Sequence, residues 1–148
     1  MRVKPNSILI SKLITILLFF VIVVSTPFLP ELLGSYHNTF GKSKFILESL
    51  LLTFYTTIPS ALVLLFCLYR LLNNIAHRNV FTDKNVQLLK ISSYCCFFAA
   101  MVYIFFARLY LFALLISVIV ILGGLILQVI QNVLLQAIIL KTENDFTI

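Results

Sequence analysis

The side chains that could do chemistry in this chain are few: His37 and His77, Cys67, Cys95 and Cys96, and the carboxyl of Glu48. A metal centre wants three or four His, Cys or carboxylate ligands converging on one point. Cys95 and Cys96 are adjacent, but their apolar run holds no His, Asp or Glu, so the pair could offer only vicinal-thiol redox chemistry. An odd number of cysteines, all inside apolar runs, gives no disulfide framework; their plainer role is as small polarizable packing residues. There is no Ser/His/Asp set for acyl transfer and no glycine-rich loop to cradle a phosphate. The expectation is a protein that is not an enzyme and takes no metal or cofactor.

The elements that position these residues follow from composition. Of 148 residues, 61% are hydrophobic and 11% are charged. A soluble domain carries roughly 25% charged residues to face water, so the solvent for this chain is lipid. Lys and Arg outnumber Asp and Glu by 11 to 5. No basic face with interleaved aromatics accompanies that excess, so direct nucleic-acid binding is not expected. The excess reads as membrane topology, because basic residues collect in cytoplasmic loops.

A helix needs about 20 mainly apolar residues to cross a bilayer. Four segments qualify, at about residues 8–28, 45–69, 88–107 and 109–130, and they predict an all-α, polytopic four-transmembrane-helix bundle forming a single membrane domain. Pro27 and Pro30 in "STPFLP" are expected to stop the first helix, leaving residues 29–44 as an outer loop. The basic start and apolar middle of this first segment also fit a secretory signal. However, the apolar part is long for one and no A-x-A-like site follows, so a retained span is expected. Counting Lys and Arg near the span ends puts eight on the side holding both termini and the 70–87 loop, against Lys42, Lys44 and Arg108 on the other. Both termini and that loop are therefore expected in the cytoplasm. His37 and His77 then fall on opposite sides and cannot share a site.

Polar residues within this apolar frame single out three places. In "NVFTDKNV", Thr82 is expected to cap the third helix through its hydroxyl, Asp83 to sit in its first turn, and Phe81 to form a hydrophobic staple with Val86. Span two holds Thr53, Thr56, Thr57 and Ser60 around Pro59, which reads as helix–helix hydrogen bonding or a kinked cavity lining. Residues 109–140 would make a helix of about 48 Å, which extends into the cytoplasm. Its far part carries Gln128, Asn132 and Gln136 at i, i+4 and i+8 as one polar stripe beside greasy faces. Gly123 and Gly124 just before it would let another helix approach closely.

The segment "NVFTDKNVQLLKIS", the four-span layout and the terminal "ENDFTI" resemble a family of small bacterial membrane proteins catalogued as domain of unknown function 2975. The resemblance implies a four-helix inner-membrane protein without known enzymatic activity. It also implies a neighbouring small helix-turn-helix regulator as cytoplasmic partner. Phe81, Asn85 and Leu89 match the loop pattern, and Glu143, Asn144, Thr147 and Ile148 match the tail; Asn79 stands where a glycine is expected before Phe81. With Gln128, Asn132 and Gln136, these are the candidate partner-binding residues. The leading expectation is a regulatory or sensory membrane protein whose stalk is covered by its own loop, by a partner protein or by a second copy of the chain. The alternative is a small transport, efflux or immunity protein acting through the bundle, using Pro59, the neighbouring threonines and Glu48.

Overall fold

In a hydrocarbon solvent every backbone N–H and C=O needs an internal partner, and an isolated apolar segment finds them only as a helix. The computed structural model describes residues 5–40, 44–77 and 79–146, with side chains over 7–35, 44–77 and 79–144. It consists of α1 (Pro5–Ser25), α2 (Leu29–Phe40), α3 (Lys44–Ala76), α4 (Asp83–Phe106) and α5 (Phe112–Phe146). Four stretches, Ser7–Ser35, Lys44–Ala76, Asp83–Phe106 and Phe112–Asn144, are long and apolar enough to cross a membrane.

α1 ends at Ser25, just before Pro27, as expected, but the chain does not then open into the expected outer loop. A single 3-10 turn, Thr26–Phe28, joins α1 to α2, so most of the predicted outer loop is helical. Pro27 lies at the start of the 3-10 turn and Pro30 near the start of α2, where a missing N–H leaves no internal bond unmade. The Ser25 and Thr26 hydroxyls donate to the Ile22 carbonyl across the junction, at 3.2 and 2.7 Å.

Each spanning helix packs on the next: α1 on α3, α3 on α4 and α4 on α5, with α2 also against α3. α4 is central, with 28% of its apolar window buried inside the protein against 6% for α1. The α4–α5 contact is built from small side chains. Gly124 of α5 comes against Cys96 and Phe97 of α4, and Ser93 and Ala100 of α4 and Ala113 and Ser117 of α5 are buried too. Without a hydrophobic force between helices in lipid, close backbone approach is what binds them, and small residues permit it. Gly124 is the glycine that matters: a Cβ there would lie 3.1 Å from Cys96 Cβ and 3.2 Å from Phe97 Cε1, whereas Gly123 has nothing within 4 Å.

The helices differ in reach. Leu71 of α3, Leu88 of α4 and Leu127 of α5 line one cavity of about 30 Å³ and so lie at one height. From Leu88 to Phe106 is about 28 Å of helix, close to the hydrocarbon thickness of roughly 30 Å. Past Leu127, α5 runs on for about 28 Å to Phe146, while α3 and α4 end within about 8 Å of that level. α5 therefore projects some 20 Å beyond its neighbours. An arginine rests on its own helix's phenylalanine at each end: Arg70 Cζ is 5.8 Å from the Phe66 ring and Arg108 Cζ is 5.7 Å from the Phe105 ring. Stems lying along apolar surface with the charge toward headgroups account for both.

Candidate functional site

The connection between α3 and α4 is short, residues 77–82, and its backbone is tied down by one side chain. Asn85, in the first turn of α4, is 1% exposed. Its Nδ2 donates to the carbonyls of Asn79 at 2.7 Å and Val80 at 2.8 Å, and its Oδ1 accepts from Asn74 Nδ2 at 2.6 Å. One buried amide thus joins the end of α3, the turn and the start of α4, using both its donors and its acceptor. Next to it, Lys12 of α1 donates to Asn73 Oδ1 at 2.8 Å, and His77 Nδ1 lies 2.8 Å from the Asn73 carbonyl. The first and third helices are linked through that lysine at the same end.

This corrects the expected capping. Thr82 is the N-cap residue, extended at φ −135° and ψ 143°, but its hydroxyl makes no cap hydrogen bond. Its carbonyl accepts the Asn85 and Val86 N–H groups at 3.0 and 3.4 Å instead. The turn aims two carbonyls toward the bundle. A threonine hydroxyl has one proton to give, whereas the Asn85 amide has two. Asp83 does sit in the first turn, where its charge meets the positive end of the helix dipole. Val86 is buried, but Phe81 keeps 52% of its surface exposed, so the staple leaves most of the ring uncovered.

The candidate residues therefore separate. Phe81 is exposed on the turn, while Asn85 and Leu89 lie inside and shape the turn beneath it. Gln128, Asn132 and Gln136 are exposed along one side of the projecting part of α5, and Glu143 and Asn144 are exposed near its end. Thr147 and Ile148 lie outside the described residues. Lys12, Asn73 and Asn74 belong to the site and escaped the sequence reading. The available signal was the paired amide "NN" in the last turns of span two, facing an asparagine eleven residues on. Arg70, Lys84 and Lys90 are also exposed at this end, giving it a basic surface.

The middle of the bundle is arranged for packing. The hydroxyls of span two were expected to bond across helices or to return bonds to their own helix's carbonyls around a kink at Pro59; they donate to their own helix. Thr53 bonds to the Ser49 carbonyl, Thr56 to Leu52, Thr57 to Thr53 and Ser60 to Thr57, all at 2.7–2.9 Å. An i−4 carbonyl is always within reach of a helical hydroxyl, so in an apolar setting the local bond is formed first. α3 continues through Pro59 as one helix of 33 residues. Two apolar cavities flank it. One, of about 540 Å³, lies between α3 and α4 with Arg108 at its rim and Thr53 and Thr56 deeper in. The other, of about 500 Å³, is bounded by α1, α3, α4 and α5 around Thr57, Tyr103 and Gly123. Cys67 and Cys96 are buried, Cys95 is half-buried, and none is in a disulfide. Among the described residues no three His, Cys, Asp or Glu side chains gather into a metal-binding group.

The family model for a protein of unknown function, DUF2975, matches residues 5–148, from the start of α1 to the end of the tail. The chain belongs to that family. No curated protein and no solved structure matches it. The match spans all the elements described above, including the Asn85-locked turn and the projecting end of α5. Because the DUF2975 description carries no activity, the site has to be argued from its geometry.

Proposed function

We propose that the protein is a non-enzymatic regulatory membrane protein that holds a small cytoplasmic partner, a DNA-binding regulator of the helix-turn-helix kind, against the inner leaflet. The reading places the Asn85 end in the cytoplasm, where the positive-inside count puts it. The observation that carries it is the construction of that end. The most buried amide of the bundle is committed to holding a six-residue turn that presents a half-exposed phenylalanine. Beside it α5 projects with Gln128, Asn132 and Gln136 on one side and Glu143 and Asn144 near its end. These supply an apolar anchor on the turn and polar groups along the projecting helix to its far end, the residue types of a specific protein contact.

Co-purification in mild detergent tests the proposal, comparing the unaltered chain with Phe81→Ala and with a deletion of residues 143–148. The product of an adjacent regulator gene should be retained by the first and lost or much reduced in both variants. Equal retention by all three would sink it.

The two apolar cavities favour a second reading, a transport, efflux or immunity protein that takes an apolar solute through the bundle. Thr56 lines the larger cavity and Glu48 is exposed on α3 near the Arg108 end. Replacing both without effect in a transport or toxin-protection assay would dismiss this reading.

A further inference from the structure

Among the described residues one apolar seam of α5 has a helix against it, and on the opposite side lie the most exposed apolar residues of its length. The first runs through Ala113, Ser117, Val120, Gly124 and Leu127, spaced alternately four and three residues apart, and it packs on α4. The second has the same spacing two residues further on, which is about 200° around the helix, on the opposite side. Within the apolar girdle it comprises Leu115, Ile119, Leu122 and Ile126, which are 59, 68, 54 and 61% exposed. It does not stop at the girdle's edge. Val129, Val133 and Leu140 continue it in the same phase at 61, 61 and 65% exposure, with Gln136 filling the one polar place.

Lipid covers the first four of these residues at no cost, while Val129, Val133 and Leu140 lie progressively further past the Leu127 level, Leu140 by about 20 Å. The repeat of 3.5 residues persists along this whole length with one polar interruption at Gln136, which is the pattern of a helix supercoiled on another helix of equal length. We infer that α5 pairs in parallel with α5 of a second copy of this chain, forming a two-stranded coiled coil that starts in the membrane and continues beyond it. Three features select a second copy. Any copy inserted with the same topology brings the identical seam at the identical height, and a two-fold axis along the membrane normal makes the two seams self-complementary. Within the girdle the residue types also fit: Ile119 and Ile126 stand at a and Leu115 and Leu122 at d, a combination that favours two strands, while further on Val129 and Gln136 stand at d and Val133 and Leu140 at a. Finally, the area suffices. At those exposures each seam residue leaves on the order of 100 Å² uncovered, so two copies have about 1,400 Å² to bury, against roughly 1,200–2,000 Å² in a stable interface.

Gln136 then meets its twin across the axis as a single polar layer that fixes register. Gln128 and Asn132 fall on the flanks of the pair and stay available to the docking surface proposed above, whereas Gln136 is taken into the pair. The pairing stands or falls independently of any partner.

Cysteine cross-linking in native membranes is the test, in a chain with Cys67, Cys95 and Cys96 replaced by alanine. Under a mild oxidant Val129→Cys and Val133→Cys should give a species of twice the 16.9 kDa chain mass. Its yield should be about ten-fold above Gln128→Cys and Leu135→Cys, which are exposed but off the seam. In parallel, light scattering of the unsubstituted chain in mild detergent should give a dimer, and Val133→Lys a monomer of unchanged helicity. A monomeric unsubstituted chain, a trimer or larger ring, or equal cross-linking on and off the seam would each overturn the inference.

Discussion

Replacing Asn85 should unfasten the turn that carries Phe81 and leave the bundle assembled. In Asn85→Ala three hydrogen bonds disappear, those to the Asn79 and Val80 carbonyls and the one from Asn74. At about 1 kcal/mol net each the loss is about 3 kcal/mol. Every 1.4 kcal/mol is ten-fold in an opening equilibrium, so backbone amides in residues 77–82 should exchange with deuterium about 100-fold faster. Hydrogen exchange read by mass spectrometry, with the protein in lipid nanodiscs, measures this directly. Amides in the middle of α4 serve as the internal control, because they lie away from the lock. Asn74→Ala removes only one of the three bonds and should accelerate exchange by about ten-fold or less. Asn85→Asp should be worse than alanine at neutral pH, since a carboxylate oxygen would replace the amide nitrogen between two carbonyl oxygens. An acceleration under three-fold in Asn85→Ala, or a larger effect from Asn74→Ala, would refute the assignment of Asn85 as the fastening residue.

Two further outcomes are expected. Gly124→Ala should lower thermal stability in detergent by roughly 1 kcal/mol, since overpacking against Cys96 Cβ costs about 1–3 kcal/mol and helix propensity returns about 1. Gly123→Ala, with open space around it, should be neutral or stabilising, and the same sign at both glycines would contradict the packing described. For orientation, Lys44→Cys should react with a membrane-impermeant maleimide in intact cells and Asp83→Cys only after permeabilisation, both in a background without native cysteines. The reverse pattern would invert the topology and remove the cytoplasmic docking proposal with it.

Much of the fold was legible because lipid simplifies the problem. Where solvent offers no hydrogen bonds, a run of 20 apolar residues has one good conformation, so Ile8–Phe28 and Leu109–Leu127 declared themselves as helices. The start of α4 at Thr82 and Asp83 was legible as well, because a cap residue and a first-turn acid are local signals. What misled was local logic carried too far. Pro27 does follow the end of α1, but a proline in the first turn of the next helix breaks nothing, so the chain ran on into α2 where a loop had been expected. The hydroxyls of α3 looked like bridges between helices, but each had a nearer carbonyl one turn back.

The candidate site was half visible for a related reason. Phe81, Gln128, Asn132 and Gln136 stood out because a polar or aromatic residue is conspicuous against a greasy background, and they are exposed. Asn85 stood out too, but whether it faces outward or inward depends on where Asn74 and two turn carbonyls lie.

By itself the sequence determined that the chain is helical, that four of its helices are long and apolar enough to cross a membrane, and that its last helix outruns the others. These properties depend on transfer of apolar residues to lipid and on periodicity along one segment, and neither needs a neighbour. Only the tertiary structure decided that Gly124 and not Gly123 is the point of closest approach. It also decided that Asn85 fastens the turn while Phe81 is left free, and that one seam of α5 is taken by α4 and the other is not. Each of these is a question of which surfaces meet, and that is set by how helices far apart in sequence are rotated against one another.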